Sequence, residues 1–132
     1  MKDDLLFVYG SLLDGNNEFG RYLMHKATQV GQAFFKGRLY DCGEYPGAVA
    51  DSNIYNIKGR VYLLKDAIAD LKILDDYEGF GIDQEQPNLF IRELITITCN
   101  NHPLSCWVYF YNLSVDGLKE ITSGDYADYL NK

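Results

Sequence analysis

Five β-type runs against one strongly marked helix bound what this chain can fold into. Residues 5–9 (LLFVY) form a short apolar run closed by Gly10, the mark of a buried first strand that opens into a loop. Apolar and polar residues alternate over 29–40 and again over 54–64, where Ile57, Val61 and Leu63 fall on one side. Residues 89–99 and 104–111 are two further β-rich runs, and 100–103 between them predicts a hairpin. Helical signals cover 18–26, with Asn16 or Asn17 as cap, 65–79 with Asp66 as cap, and 124–130 with Ser123 as cap. Residues 43–47 (GEYPG) read as a turn in which Pro46-Gly47 favours type II geometry. Strands outnumber helices and do not alternate with them strictly. The expected class is therefore α+β, on an antiparallel or mixed sheet that is either open or closed into a small barrel.

At 132 residues and 47% hydrophobic content, the chain is long and apolar enough for a core, and no repeat or linker composition divides it. Residues 1–132 are expected to form a single domain. A net charge of −7 and a pI near 4.6 argue against nucleic acid as a partner, since no basic run is available to displace counterions from a phosphate backbone. The opening MKDDLLFVYG is too short in apolar residues for a signal-peptide core, and no stretch reaches the roughly 20 apolar residues of a membrane span. The expectation is a cytoplasmic protein that does not engage the membrane. Cys42, Cys99 and Cys106 are odd in number and lack CxxC spacing, so free thiols are expected rather than disulfides or zinc. His25 and His102 are too few and too scattered for a metal cluster.

The segment 65–79 (KDAIADLKILDDYEG) carries the most informative residue. At about 100° per residue, Ala67, Ile68, Leu71 and Leu74 fall on one stripe, and Glu78 lies only roughly 20° from Leu71. A carboxylate on a core-facing stripe must be paired, protonated, or lining a cavity, because an isolated buried charge is very costly. Asp76 points away and reads as surface charge. Asp75 lies roughly 40–50° from the stripe and reads as a structural partner of loop backbone or of Arg92. Arg92 itself, alone in a strand, is expected on the solvated face.

Four segments resemble the gamma-glutamylcyclotransferase-like group, which includes gamma-glutamylamine cyclotransferases and AIG2-like proteins. They are VYGSL at 8–12, GRLYDCGEYPGAV at 37–49, ILDDYEGF at 73–80 and WVYFY at 107–111, and SGDY at 123–126 is similar to how many such chains end. Arg60 stands where these proteins often have an acidic residue, and Phe90 where tyrosine is frequent. The resemblance implies a small mixed β-barrel with flanking helices and a pocket between the first strand's loop and the acidic helix end. It implies conversion of a small gamma-glutamyl metabolite to 5-oxoproline and a free amine, without metal or organic cofactor. Glu78 would then be the acid/base, and the backbone of Tyr9, Gly10, Ser11 and Leu12 would hold the substrate.

The implied chemistry suits these residues. The substrate's own α-amino group attacks its γ-carbonyl, so the enzyme holds the folded conformer and moves protons. A turn opened by Gly10 supplies convergent N–H donors for a carboxylate or oxyanion. Ser11 has no histidine partner and is not read as a nucleophile. Tyr45, Tyr109 and Tyr111 are expected as pocket walls and hydroxyl donors. The alternative is a non-catalytic module that binds a small carboxylate metabolite on the same fold.

Overall fold

The apolar run at the start of the chain lacks alternation because both of its faces are covered. The computed structural model describes residues 4–10, 18–43, 45–51 and 56–130. Along them run β1 (Leu5–Val8), α1 (Glu18–Lys26), β2 (Ala27–Asp41), β3 (Pro46–Ala50), β4 (Asn56–Leu64), α2 (Ala67–Glu78), β5 (Phe90–Cys99), β6 (His102–Tyr111), β7 (Lys119–Glu120) and α3 (Tyr126–Leu130). Phe7 points with Tyr9 into one apolar cluster, together with Phe35, Ile57, Val61, Val108 and Phe110. Leu6 and Val8 point the other way, into a second cluster with Leu23 of α1, Leu71 and Leu74 of α2, and Tyr109. The period-2 geometry of a strand thus divides LLFVY between a barrel interior and a layer under the helices.

The sheet order β3-β2-β4-β1-β6-β5 is closed by a further β2–β5 pairing, which makes a five-stranded barrel of β2, β4, β1, β6 and β5. Only β1 and β6 run parallel, at Leu6 and Trp107; the other barrel pairs are antiparallel. The fold is α+β and the barrel is mixed, with β3 and β7 extending β2 beyond it. Asn100 and Asn101 take φ of 52° and 66° between β5 and β6, the left-handed pair that suits a tight hairpin.

Several local expectations need correction. Pro46 and Gly47 do not form a type II turn but begin β3, and the positive φ belongs to Gly43, at 107°. Gly47 is required for another reason: a Cβ there would lie 2.8 Å from both Cys42 Sγ and Tyr111 Cβ. Leu63 is exposed while its neighbours Tyr62 and Leu64 are buried, because the far half of β4 turns its other face to the helices. Ile68 is 88% exposed and Asp70 only 5%, so the buried stripe of α2 is narrower than its apolar residues suggest. Tyr22 Oη donates to Asp70 Oδ1 at 2.7 Å, which satisfies the buried carboxylate. Ser123 does not cap the last helix: Asp125 does, its Oδ1 accepting from the Asp128 N–H at 3.1 Å. Asp66 caps α2 as expected, accepting from the Ala69 N–H, and Gly79 ends it in the left-handed region at φ 75°. The expected caps Asn16 and Asn17 lie outside the described residues.

Candidate active site

The end of β1, the start of β3 and the last turn of α2 meet at one edge of the barrel. Their meeting point is a small cavity of about 30 Å³ lined by Phe7, Val8, Tyr9, Gly10, Tyr45, Pro46, Glu78, Phe90 and Tyr109. That is room for at least one bound water or small polar group beside the carboxyl. Glu78 is its one acidic residue among the described lining. Burial is the main cause that moves its carboxyl from an ordinary 4.5 up to about 8, and the negative charge of Asp75 adds to it. Hydrogen bonding is not among the causes, so the carboxyl is not committed to a structural partner among the described residues.

The tyrosines contribute rings more than protons. Tyr9 Oη donates to the Tyr109 carbonyl at 2.5 Å and accepts from the Ala48 N–H at 3.1 Å. Tyr109 Oη donates to Asp75 Oδ1 at 2.7 Å. Both hydroxyl protons are therefore engaged, contrary to the expectation of Tyr109 as a donor to substrate. Tyr45 packs its ring 5.8 Å from that of Phe90, and Tyr111 packs on the far side of Phe90 at 5.7 Å, away from the cavity. Gly10 is where only hydrogen fits: a Cβ would sit 2.6 Å from Pro46 Cγ. Ser11 and Leu12 lie outside the described residues, so of the four expected loop positions Tyr9 and Gly10 are those seen at the cavity.

Arg92 is not on a solvated face. Its Nε and Nη2 donate to Asp75 Oδ1 and Oδ2 at 2.7 and 3.0 Å, and both side chains are mostly buried, at 16% and 17% exposure. The guanidinium lies 4.3 Å over the Trp107 ring and 5.8 Å from that of Phe80. Asp75 is thus a structural partner of Arg92, as its helical angle suggested. Sequence patterning does not single out the apolar walls Phe7, Val8 and Pro46 as site residues, whereas Phe90 stands where the resembled family often has tyrosine.

A larger groove of about 880 Å³ runs beside α2, bordered by Ile68, Ile82, Trp107, Arg92 and Asp75, and it does not include Glu78. Asp75, which borders it, already accepts from three donors, two on Arg92 and one on Tyr109. The smaller cavity is therefore the better candidate site: it holds a carboxyl whose pKa burial raises to about 8. Cys42 is no competitor as a nucleophile, since burial pushes its thiol up to about 11. Among the described residues no group of three or more His, Cys, Asp or Glu is placed to hold a metal ion, and Cys42, Cys99 and Cys106 are free thiols. No helix among them is long and apolar enough to cross a membrane.

Comparison with known proteins gives the family and the fold. The family model described as gamma-glutamyl cyclotransferase, AIG2-like matches residues 6–128. The gamma-glutamylcyclotransferase family protein YtfP of Escherichia coli (strain K12) is 35% identical over 127 residues, covering 93% of this chain and 96% of that protein. The solution structure of ytfP from Escherichia coli superposes with a TM-score of 0.68 at 33% identity, covering 97% of this chain and 99% of that one. The crystal structure of YkqA from Bacillus subtilis shares the fold, with a TM-score of 0.70 at 23% identity; this chain covers 41% of its length. The chain belongs to the gamma-glutamyl cyclotransferase, AIG2-like family.

Proposed function

We propose that this member of the gamma-glutamyl cyclotransferase, AIG2-like family converts a gamma-glutamyl amine or peptide into 5-oxoproline and a free amine, with Glu78 as general acid/base. Family membership supports a cyclotransferase-like function. The observation that carries the finer reading is the cavity carboxyl itself, with its pKa raised to about 8. An α-amino group loses its proton near 7.7–8.0, and the adjacent α-carboxylate of a gamma-glutamyl group raises that somewhat. Proton exchange between such an ammonium and Glu78 is then close to thermoneutral, where an ordinary glutamate would be a poor base.

In the proposed sequence, Glu78 takes a proton from the substrate ammonium, freeing the nitrogen lone pair to attack the γ-carbonyl carbon. The new C–N bond closes the five-membered lactam. Protonated Glu78 delivers its proton to the departing nitrogen as the original amide bond breaks. The restored carboxylate then takes the second proton from the ring nitrogen and passes it to the released amine, which leaves as an ammonium ion. The backbone of Tyr9, Gly10, Ser11 and Leu12 holds the substrate carboxylate or the developing oxyanion. Tyr45 and Tyr109 wall the reacting group. Attack within one molecule needs conformer selection and proton transfer alone, so no metal or organic cofactor enters the scheme.

The test is release of 5-oxoproline from a panel of gamma-glutamyl amines, dipeptides and glutathione, by wild type, by Glu78→Gln, and by wild type after exhaustive chelation. Wild type should turn over at least one member, with or without chelator, and the variant should lose about 10²–10⁴-fold in kcat. Equal rates from variant and wild type would remove Glu78 from the reaction. Binding of a panel member without release by wild type would reject catalysis in favour of a carboxylate-binding module.

A further inference from the structure

The cavity wall is continuous with an ion pair that touches no part of the cavity itself. Asp75 and Glu78 stand three residues apart on α2, neighbours on the helix surface with roughly 5–6 Å between their Cβ atoms. Asp75 accepts from Arg92 Nε and Nη2 and from Tyr109 Oη, and Tyr109 lines the cavity with Glu78. Arg92 and Tyr109 face each other across the β5–β6 hairpin, so two neighbouring strands grip one carboxylate. A guanidinium stacked on Trp107 and hydrogen-bonded through two nitrogens is fixed in both position and plane.

We propose that Asp75, clamped by Arg92, is a positioning residue for the Glu78 site: it pins the Tyr109 ring that walls the cavity and holds a partly neutralised negative charge one helical turn from the Glu78 carboxyl. The inference rests on the reading of Glu78 as the group that exchanges the proton. The charged and titratable groups facing Glu78 are Asp75 on its own helix, Tyr9 at the end of β1, Tyr45 before β3 and Tyr109 on β6; Arg92 of β5 acts on it through Asp75. Burial keeps Tyr9 and Tyr109 protonated well beyond neutral pH, aided at Tyr9 by the charge of Glu78 and at Tyr109 by the hydrogen bond to Asp75, so Asp75 supplies the charge to which Glu78 responds.

A clamp of this kind makes opposite predictions for its two members. Asp75→Asn keeps the shape and an acceptor for Tyr109 but removes the negative charge and leaves Arg92 uncompensated, so Glu78 should titrate lower by about one pH unit. Arg92→Gln leaves Asp75 unneutralised, so Glu78 should titrate higher. The readout is a carbon-detected NMR titration of the Glu78 side-chain carboxyl in the full chain without substrate, alongside the amide spectrum as a check on folding. Where Arg92→Gln is unfolded, Tyr109→Phe replaces it, since losing one donor to Asp75 while keeping the ring should also move Glu78 upward; where Asp75→Asn is unfolded, Asp75→Ser replaces it and should move Glu78 downward. Shifts in these opposed directions support the proposal. An unmoved Glu78 in a folded Asp75→Asn protein, or shifts in the same direction from both charge variants, would overturn it.

The titration needs no turnover, which separates this inference from the cyclotransferase reading. Opposed shifts in a protein that never releases 5-oxoproline would defeat the activity and leave the clamp standing. Release of 5-oxoproline with a Glu78 indifferent to Asp75 would do the reverse.

Discussion

Replacing Glu78 by glutamine is expected to stabilise the fold, by an amount that grows with pH. Folded, the Glu78 carboxyl keeps its proton up to about 8; unfolded, it returns to the ordinary glutamate value near 4.3. Below pH 4 both states carry the proton, and the group contributes no pH dependence. Between those two values the unfolded chain releases the proton while the folded chain retains it, so stability falls as pH rises, and above 8 the cost is constant. The interval from 4.5 to about 8, at 1.36 kcal/mol for each pH unit, sets an upper bound of about 5 kcal/mol. Water reaching the open side of the half-buried carboxylate lowers that, and about 2 kcal/mol is the figure expected at pH 9. Glutamine has the same shape and no charge to desolvate. Urea denaturation of both proteins at pH 4, 7 and 9 isolates the effect, because every titration they share cancels in the difference. The two should nearly coincide at pH 4, and the variant should lead by about 2 kcal/mol at pH 9. A difference that stays constant with pH would refute the claim that this carboxyl is held out of water.

Two further outcomes follow from the same geometry. kcat/KM should follow a bell with its maximum near 8, rising as Glu78 loses its proton in the free enzyme and falling as the substrate ammonium loses its own; an acid limb centred between 4 and 5 would mean an ordinary solvated carboxylate. Gly10→Ala would put a methyl group 2.6 Å from Pro46 Cγ and 2.9 Å from Cδ, pushing the exit of β1 off the cavity. A loss in kcat/KM on the order of 10²-fold is expected from a displacement of that size, and unchanged kinetics would separate the loop from substrate binding.

Much of the site was legible because local periodicity and tertiary demand agree there. The helical angle between Leu71 and Glu78 brings the carboxyl under the same layer that buries Leu71 and Leu74. The same rule misplaced Ile68, which borders the open groove beside α2: a stripe drawn on one helix knows nothing of where its packing partner ends. Arg92 failed for a different reason. Strand statistics put a lone arginine in solvent, but its carboxylate partner lies 17 residues earlier in another element. The pairing of Arg92 with Tyr109 was within reach, since a two-residue turn at Asn100 and Asn101 puts them opposite each other. Gly47 misled because glycine answers to two demands, a positive φ or a close neighbour, and sequence does not say which.

The place of Glu78 on its helix makes its proton affinity a consequence of the fold rather than of one neighbour. It is the final residue of α2, just before the left-handed Gly79, and no basic residue stands in that last turn. Unpaired carbonyls at a helix C-terminus carry partial negative charge, which disfavours a carboxylate there by about 0.3–1 kcal/mol. Burial, Asp75 and the helix end therefore all act in one direction, and Arg92 moderates the second. A glutamate at the first turn of the same helix would meet a dipole of the opposite sign, which favours the carboxylate. An acid matched to an amine near pH 8 thus calls for a helix that ends, uncompensated, against the mouth of the barrel. The sequence LDDYEG encodes that ending: Leu74 anchors it, Asp75 charges it, Glu78 faces the cavity and Gly79 stops the helix before the carboxyl can turn back to solvent.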